Sequence, residues 1–202
     1  MQDMNKQEPE YDKKLNISTC GREAHMEDDI HHAYEPTPYC VLERLLEEEY
    51  ITSENKLVDY GCGKGRVAFF FNSRTGCRAV GLDFDEKMIA DAKKNLETFH
   101  GRDKSGVEFV CEDASTFDPK DADTFFFFNP FDELILKRVI RNIVESSYEN
   151  EAQSLLFFYY PSDEYVSTLM TTPELDFVDE IDVSDLFCGQ NTRERILIFS
   201  VG

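Results

Sequence analysis

Apolar and polar positions along this chain change period repeatedly, and the changes mark out alternating strands and helices. Leu57 and Val58 close a short apolar run of the kind a buried strand makes. Gly61, Gly63 and Gly65 follow at alternate positions, and Val67 begins an apolar stretch of helical length. Residues 79–84 form the next apolar run, ending near Asp83, and Asp85 is placed to open a helix whose apolar face is Met88, Ile89, Ala92, Leu96 and Phe99. Residues 107–111 predict a third strand. The phenylalanine run 125–128, closed by Asn129 and Pro130, predicts a central strand buried on both faces. Ile135, Val139, Ile140, Ile143 and Val144 then mark a long helix with Lys137, Arg138 and Arg141 outside, and residues 155–160 a fifth strand stopped by Pro161.

The rhythm breaks after that strand. Residues 177–183 and 196–201 are both strand-like, with only a short loop around Gly189 and Asn191 between them. Such a connection is too short for a crossover helix, so the two predict an antiparallel hairpin. Upstream of the first strand, Val41, Leu42, Leu45 and Leu46 recur at helical spacing opposite Glu43, Glu47, Glu48 and Glu49. Thr37 is a candidate N-cap there and Pro38 a candidate first helical residue. Residues 1–33 are polar and poor in large apolar side chains, which predicts an acidic arm, weakly ordered or folded onto a domain spanning 34–202.

Composition narrows the partners. With 202 residues the chain can bury one substantial core. Its 41 Asp and Glu against 21 Lys and Arg give a net charge of −20, which on average repels nucleic-acid phosphates and anionic membranes. No apolar run reaches spanning length. The six cysteines show no paired or metal-site spacing, and a reducing cytoplasm with free thiols accounts for them simply. The cluster Glu27, Asp28, Asp29, His31 and His32 lacks the fixed spacing of a metal site, so no metal is expected.

A strand turning through glycines into a helix brings bare backbone N–H groups and a helix N-terminus toward a ligand. The dinucleotide fingerprint G-x-G-x-x-G requires its third glycine where this chain has Arg66; the third glycine instead arrives at Gly65. Asp59 stands inside the strand end. D-x-G-x-G-x-G resembles motif I of the class I S-adenosylmethionine-dependent methyltransferases. The segment Tyr34-Glu35-Pro36-Thr37-Pro38, leading into a helix, is similar to one lying near the cofactor in several methyltransferase families; an ordinary helix start is the alternative. The resemblance spans about residues 34–202.

That resemblance implies an α/β fold, a three-layer sandwich around a mostly parallel seven-stranded sheet of order 3-2-1-4-5-7-6, with the last strand antiparallel. It implies S-adenosyl-L-methionine as cofactor, held by Asp59, Gly61, Gly63 and Gly65, with Asp83 on the ribose hydroxyls, Phe84 against the adenine, Asp113 and the Ala114 N–H on the adenine edge, and Asn129 facing the transferred methyl. Asn129-Pro130-Phe131 resembles the N-P-P-Y/F loop of enzymes that methylate planar amines, where the Asn is catalytic, although Phe131 stands where the second proline belongs. Tyr34, Phe131 and Tyr160 are the candidate acceptor-side residues. The implied function is methyl transfer to a small molecule or a protein. A non-catalytic protein that kept the fold and a nicotinamide-dependent oxidoreductase are the alternatives.

Overall fold

A computed structural model describes residues 4–21, 34–120, 122–189 and 191–202. The strands are β1 (Lys56–Tyr60), β2 (Arg78–Asp83), β3 (Val107–Cys111), β4 (Thr124–Phe127), β5 (Leu155–Tyr159), β6 (Leu175–Asp182) and β7 (Arg195–Val201). They form one seven-stranded sheet of order β3-β2-β1-β4-β5-β7-β6, in which β7 runs antiparallel to both its neighbours. The expected sheet order and the closing hairpin are therefore both present.

Alternation along the central strands builds two cores. Leu57, Phe126, Phe157 and Tyr159 point to one face, where they meet α2 (Tyr39–Glu47), α3 (Arg66–Thr75) and α4 (Glu86–Thr98). Val58, Tyr60, Phe125, Phe127, Leu156 and Phe158 point to the other, under α5 (Glu133–Glu149) and α6 (Asp163–Thr171). Burial on both sides explains why these strands read as continuous apolar runs. The registered residues Tyr60, Phe127 and Phe158 stack across three neighbouring strands, with ring centroids 5.0 and 4.6 Å apart. This aromatic row stiffens the ends of β1, β4 and β5.

Local signals hold at most helix starts. Asp85 caps α4 by accepting from the N–H of Lys87 and Met88, and Asp132 caps α5 from the N–H of Ile135. At α2 the expectation needs correction: Pro38 occupies the cap position, the helix begins at Tyr39, and Thr37 makes no capping bond. Pro38 has no N–H to place, and the N–H of Tyr39 is taken by the Glu8 carboxylate instead.

Two helices were not read from the sequence. One is α6, opened by Ser162, whose hydroxyl accepts from the N–H of Tyr165. The other is α1 (Met4–Leu15), which contains Pro9 and docks on the domain through Leu15 and Tyr11, the latter stacked on Tyr39 at 4.6 Å. The acid–histidine cluster at 27–32 lies outside the described residues. Among the described residues, no helix is long and apolar enough to cross a membrane.

Candidate active site

The carboxyl ends of β1, β2, β3 and β4 open into a cavity of about 520 Å³. At its floor is Asp59, 3% exposed, whose Oδ2 has no hydrogen-bond partner. Burial pushes its carboxyl up to about 8, with the charge of Asp83 adding to the effect. A buried carboxyl without a donor is costly to ionise, so it stays protonated until a cation or a donor reaches it.

Asp83 ends β2 beside it. Its Oδ2 accepts from the N–H of Gly63 at 2.9 Å and its Oδ1 from the N–H of Asp85 at 3.0 Å. Burial raises this carboxyl too, against the lowering effect of those two bonds. Each oxygen keeps lone-pair capacity beyond the bond it makes. Because Asp85 already caps the following helix, Asp83 is not needed for that duty.

The glycine turn itself differs from the expectation of bare N–H groups. Gly61 and Cys62 both donate to the Leu82 carbonyl, at 2.8 and 2.9 Å, Gly63 donates to Asp83, and Gly65 donates to the Cys62 carbonyl at 2.8 Å. These donors are spent inside the protein. What the glycines provide is close approach. A Cβ at Gly61 would stand 2.3 Å from the Pro130 Cβ, and one at Gly63 would stand 2.3 Å from the Tyr34 ring, at a φ of +51° that side chains rarely adopt. The glycines thus let the β4 loop and the Tyr34 segment close down on the turn.

Phe84, 43% exposed, lines the cavity beside Asp113 and Ala114 at the end of β3. Asp113 braces its own loop by accepting from the N–H of Ser115 at 2.8 Å. Met88 and Ile135 supply apolar wall between them. The structure therefore brings Asp59, Gly61, Asp83, Phe84, Asp113, Ala114, Tyr34 and Phe131 to one cavity, with Gly63 immediately beneath Tyr34 and Gly65 capping α3.

On the acceptor side several expectations change. Asn129 lines the cavity, but its side-chain amide turns to the end of β5. Nδ2 donates to the Tyr160 carbonyl and Oδ1 accepts from the N–H of Ser162 at 3.2 Å. Both ends of the amide are engaged in tying β4 to β5. Phe131 is 4% exposed and wedged edge-on against Tyr60 and Phe127, so it closes the aromatic row rather than shaping an open loop. Tyr160 is not among the cavity residues: its hydroxyl accepts from Asn191 at 2.7 Å and Arg193 covers its ring at 4.3 Å.

Other cavity residues carry no site reading in the sequence: Arg138 reads as an outer-face cation, Met88 and Ile135 as helix-face residues, and Arg66 as a missing glycine, whereas Thr37 belongs to the segment expected near the cofactor. Ile135 and Arg138 stand one helical turn apart on α5, a spacing that marked them as sharing a face.

Comparisons with known proteins agree with this geometry. Residues 57–146 match the family model described as a methyltransferase domain. A protein-lysine N-methyltransferase of Saccharolobus islandicus is 35% identical over 71 residues, which is 33% of this chain and 42% of that protein. A carboxy-S-adenosyl-L-methionine synthase of Glaesserella parasuis is 27% identical over 81 residues, 39% of this chain and 33% of that protein. The matched stretch spans less than half the length of either curated relative.

Among solved structures, an RNA methyltransferase from Salinibacter ruber in complex with S-adenosyl-L-homocysteine superposes with a TM-score of 0.57 at 20% identity, over 83% of this chain and 94% of that one. A glycopeptide N-methyltransferase complexed with S-adenosylmethionine reaches 0.62 at 14% identity, over 89% and 90%. Sheet order, glycine turn and the methyltransferase-domain match over residues 57–146 together give this chain the fold of the class I S-adenosylmethionine-dependent methyltransferases. The cofactor of that family is S-adenosyl-L-methionine.

Proposed function

We propose that the protein transfers a methyl group from S-adenosylmethionine to a nitrogen of a small-molecule or protein acceptor. The observation that carries the reading is the unpartnered Oδ2 of Asp59, buried beside Asp83 at the cavity floor. Two carboxyl groups at that depth call for positive charge, and S-adenosylmethionine brings an ammonium and a sulfonium. A nicotinamide dinucleotide brings phosphates, which these acids repel and for which the turn keeps few free N–H donors.

In this reading Asp59 and the turn hold the methionine end. Asp83 accepts from the ribose hydroxyls, Phe84 and Ile135 flank the adenine, and Asp113 with the Ala114 N–H reads its edge. The cofactor supplies a methyl on a positively charged sulfur; the acceptor lone pair forms the new bond to carbon while the carbon–sulfur pair returns to sulfur. The chain's work is alignment and exclusion of water, together with removal of a proton from a protonated amine. Glu35, which lines the cavity, and Glu194, which lies within reach of its charge, favour a cationic acceptor over an anionic one. Glu194, held at 2.9 Å by the Tyr159 hydroxyl, is raised by burial despite that bond, with Glu35 adding to the rise. The similarity to a protein-lysine methyltransferase points the same way, and the net charge of −20 speaks against a polynucleotide.

The engagement of both ends of the Asn129 amide favours one second reading, a protein that binds the cofactor without transferring its methyl. Incubation with labelled S-adenosylmethionine and a cell extract, fractionated into protein, nucleic acid and small molecules, separates the two. Label in protein or amine fractions supports transfer; cofactor binding with no labelled fraction supports the second. The free thiols at Cys20, Cys40, Cys62, Cys77, Cys111 and Cys188 fit a reducing, cytoplasmic setting, and the division into an arm (1–33) and a methyltransferase domain (34–202) is kept as part of the proposal.

A further inference from the structure

The first residue of α3, immediately after the glycine turn, is a buried cation. The Arg66 side chain is 3% exposed, and its donors are almost all spent on the segment that precedes the domain. Nε donates to the Thr19 hydroxyl at 2.8 Å, Nη1 donates to the Glu8 carboxylate and to the Thr37 carbonyl at 3.1 Å, and Nη2 lies 3.4 Å from the Cys20 sulfur and 3.9 Å from Asp12. The guanidinium also stacks on the Tyr39 ring at 4.3 Å.

Its partners are themselves interlocked. Asp12 is buried, yet bonds from the hydroxyls of Tyr39 and Thr19 and from the Thr19 N–H hold its carboxyl below the usual range. The Tyr34 hydroxyl donates to the Thr19 carbonyl at 2.6 Å, and the Tyr34 ring stands on Gly63.

We propose that Arg66 is a positioning residue for the cofactor: it clamps residues 8–20 across the glycine turn, and through Thr19 it sets Tyr34 over Gly63 as the wall that closes the methionine end of the cavity. The inference rests on the cofactor reading above and goes beyond it in assigning the N-terminal segment to the site. A planar fork is needed because donors must reach Glu8, Thr19 and Thr37 at once; a lysine ammonium supplies charge without that geometry. The cofactor enters and leaves by moving this wall, so occupancy and docking of residues 8–20 stabilise each other.

The test uses the full chain with S-adenosylhomocysteine as the probe. Amide hydrogen exchange over residues 8–20 should slow when the probe binds. Arg66→Lys and Thr19→Val should each weaken probe binding about tenfold or more in calorimetry, and the weakening should exceed any seen for the distant surface change Lys137→Ala. Tyr34→Leu, which removes the wall and its bond to the Thr19 carbonyl but none of Arg66's own bonds, should speed probe dissociation; it also serves if Arg66→Lys does not fold. Unchanged probe affinity in folded Arg66→Lys or Thr19→Val, or unchanged exchange over 8–20 on binding, overturns the proposal while leaving the cofactor reading intact. A wild-type protein that does not bind the probe at all overturns both.

Discussion

Asp59 and Asp83 stand near the ends of neighbouring parallel strands, and burial, with the charge of Asp83 adding to it, keeps Asp59 protonated to about pH 8. Their difference is in partners: Asp83 holds two backbone N–H groups, whereas Oδ2 of Asp59 holds none. The pair is an arrangement that a bound cation relieves.

The pH dependence follows with a definite sign. A carboxyl whose folded value is raised favours the protonated folded state, so its contribution to stability is full below its unfolded value, near 4, and is lost as pH rises through about 8. The melting temperature of the free protein should fall between pH 6 and pH 8 and level off above that. Asp59→Asn should flatten that fall while weakening S-adenosylhomocysteine binding. A scanning-calorimetry series that keeps the same slope in Asp59→Asn removes Asp59 as its source.

Asp83→Ala removes the group assigned to the ribose and also frees the N–H of Gly63. Cofactor affinity should fall at least tenfold, about 1.4 kcal/mol, in a calorimetric titration. Unchanged affinity would take Asp83 out of the site.

Gly63→Ala places a methyl within the Tyr34 ring at a φ of +51°. The left-handed backbone alone costs about 1–2 kcal/mol, and displacement of Tyr34 adds loss of cofactor binding. Chemical denaturation with a parallel binding titration reads both effects; a variant of wild-type stability and affinity would show that Tyr34 does not depend on this approach.

Phe131→Ala should destabilise the fold by about 3–5 kcal/mol, the usual cost of emptying a buried aromatic site, because its ring packs on Tyr60 and Phe127. Stability measured by urea unfolding should drop even without cofactor. A loss of methyl transfer with no loss of stability would instead give Phe131 a direct role with the acceptor.

The legible part of this molecule is what neighbours in sequence determine. Strands buried on both faces show as apolar runs, Asp85 announces its helix, and a short polar loop forces β6 and β7 to pair. That Asp59, Gly61, Asp83, Phe84, Asp113 and Ala114 share one cavity was legible because they sit at strand ends in a fixed spacing. The rest depends on contacts between distant residues. Pro9 argues against a helix through residues 4–15 despite the helix formers around it; α1 is held by Tyr11 on Tyr39 and Glu8 on Arg66. Asn129 looked like an acceptor-facing amide until its partners at Tyr160 and Ser162, more than thirty residues on, took up both ends. Arg66 read as a departure from a glycine pattern because its acidic partners lie in the segment taken for an arm.

The central claim is that the two carboxyl groups at the ends of β1 and β2 receive a cationic nucleoside. Titration of the wild-type protein with S-adenosylmethionine at pH 7, repeated in buffers of different ionisation enthalpy, measures affinity and proton transfer together. The account predicts saturable binding with release of a proton as Asp59 ionises. No binding, or binding of a nicotinamide dinucleotide in its place, would contradict it.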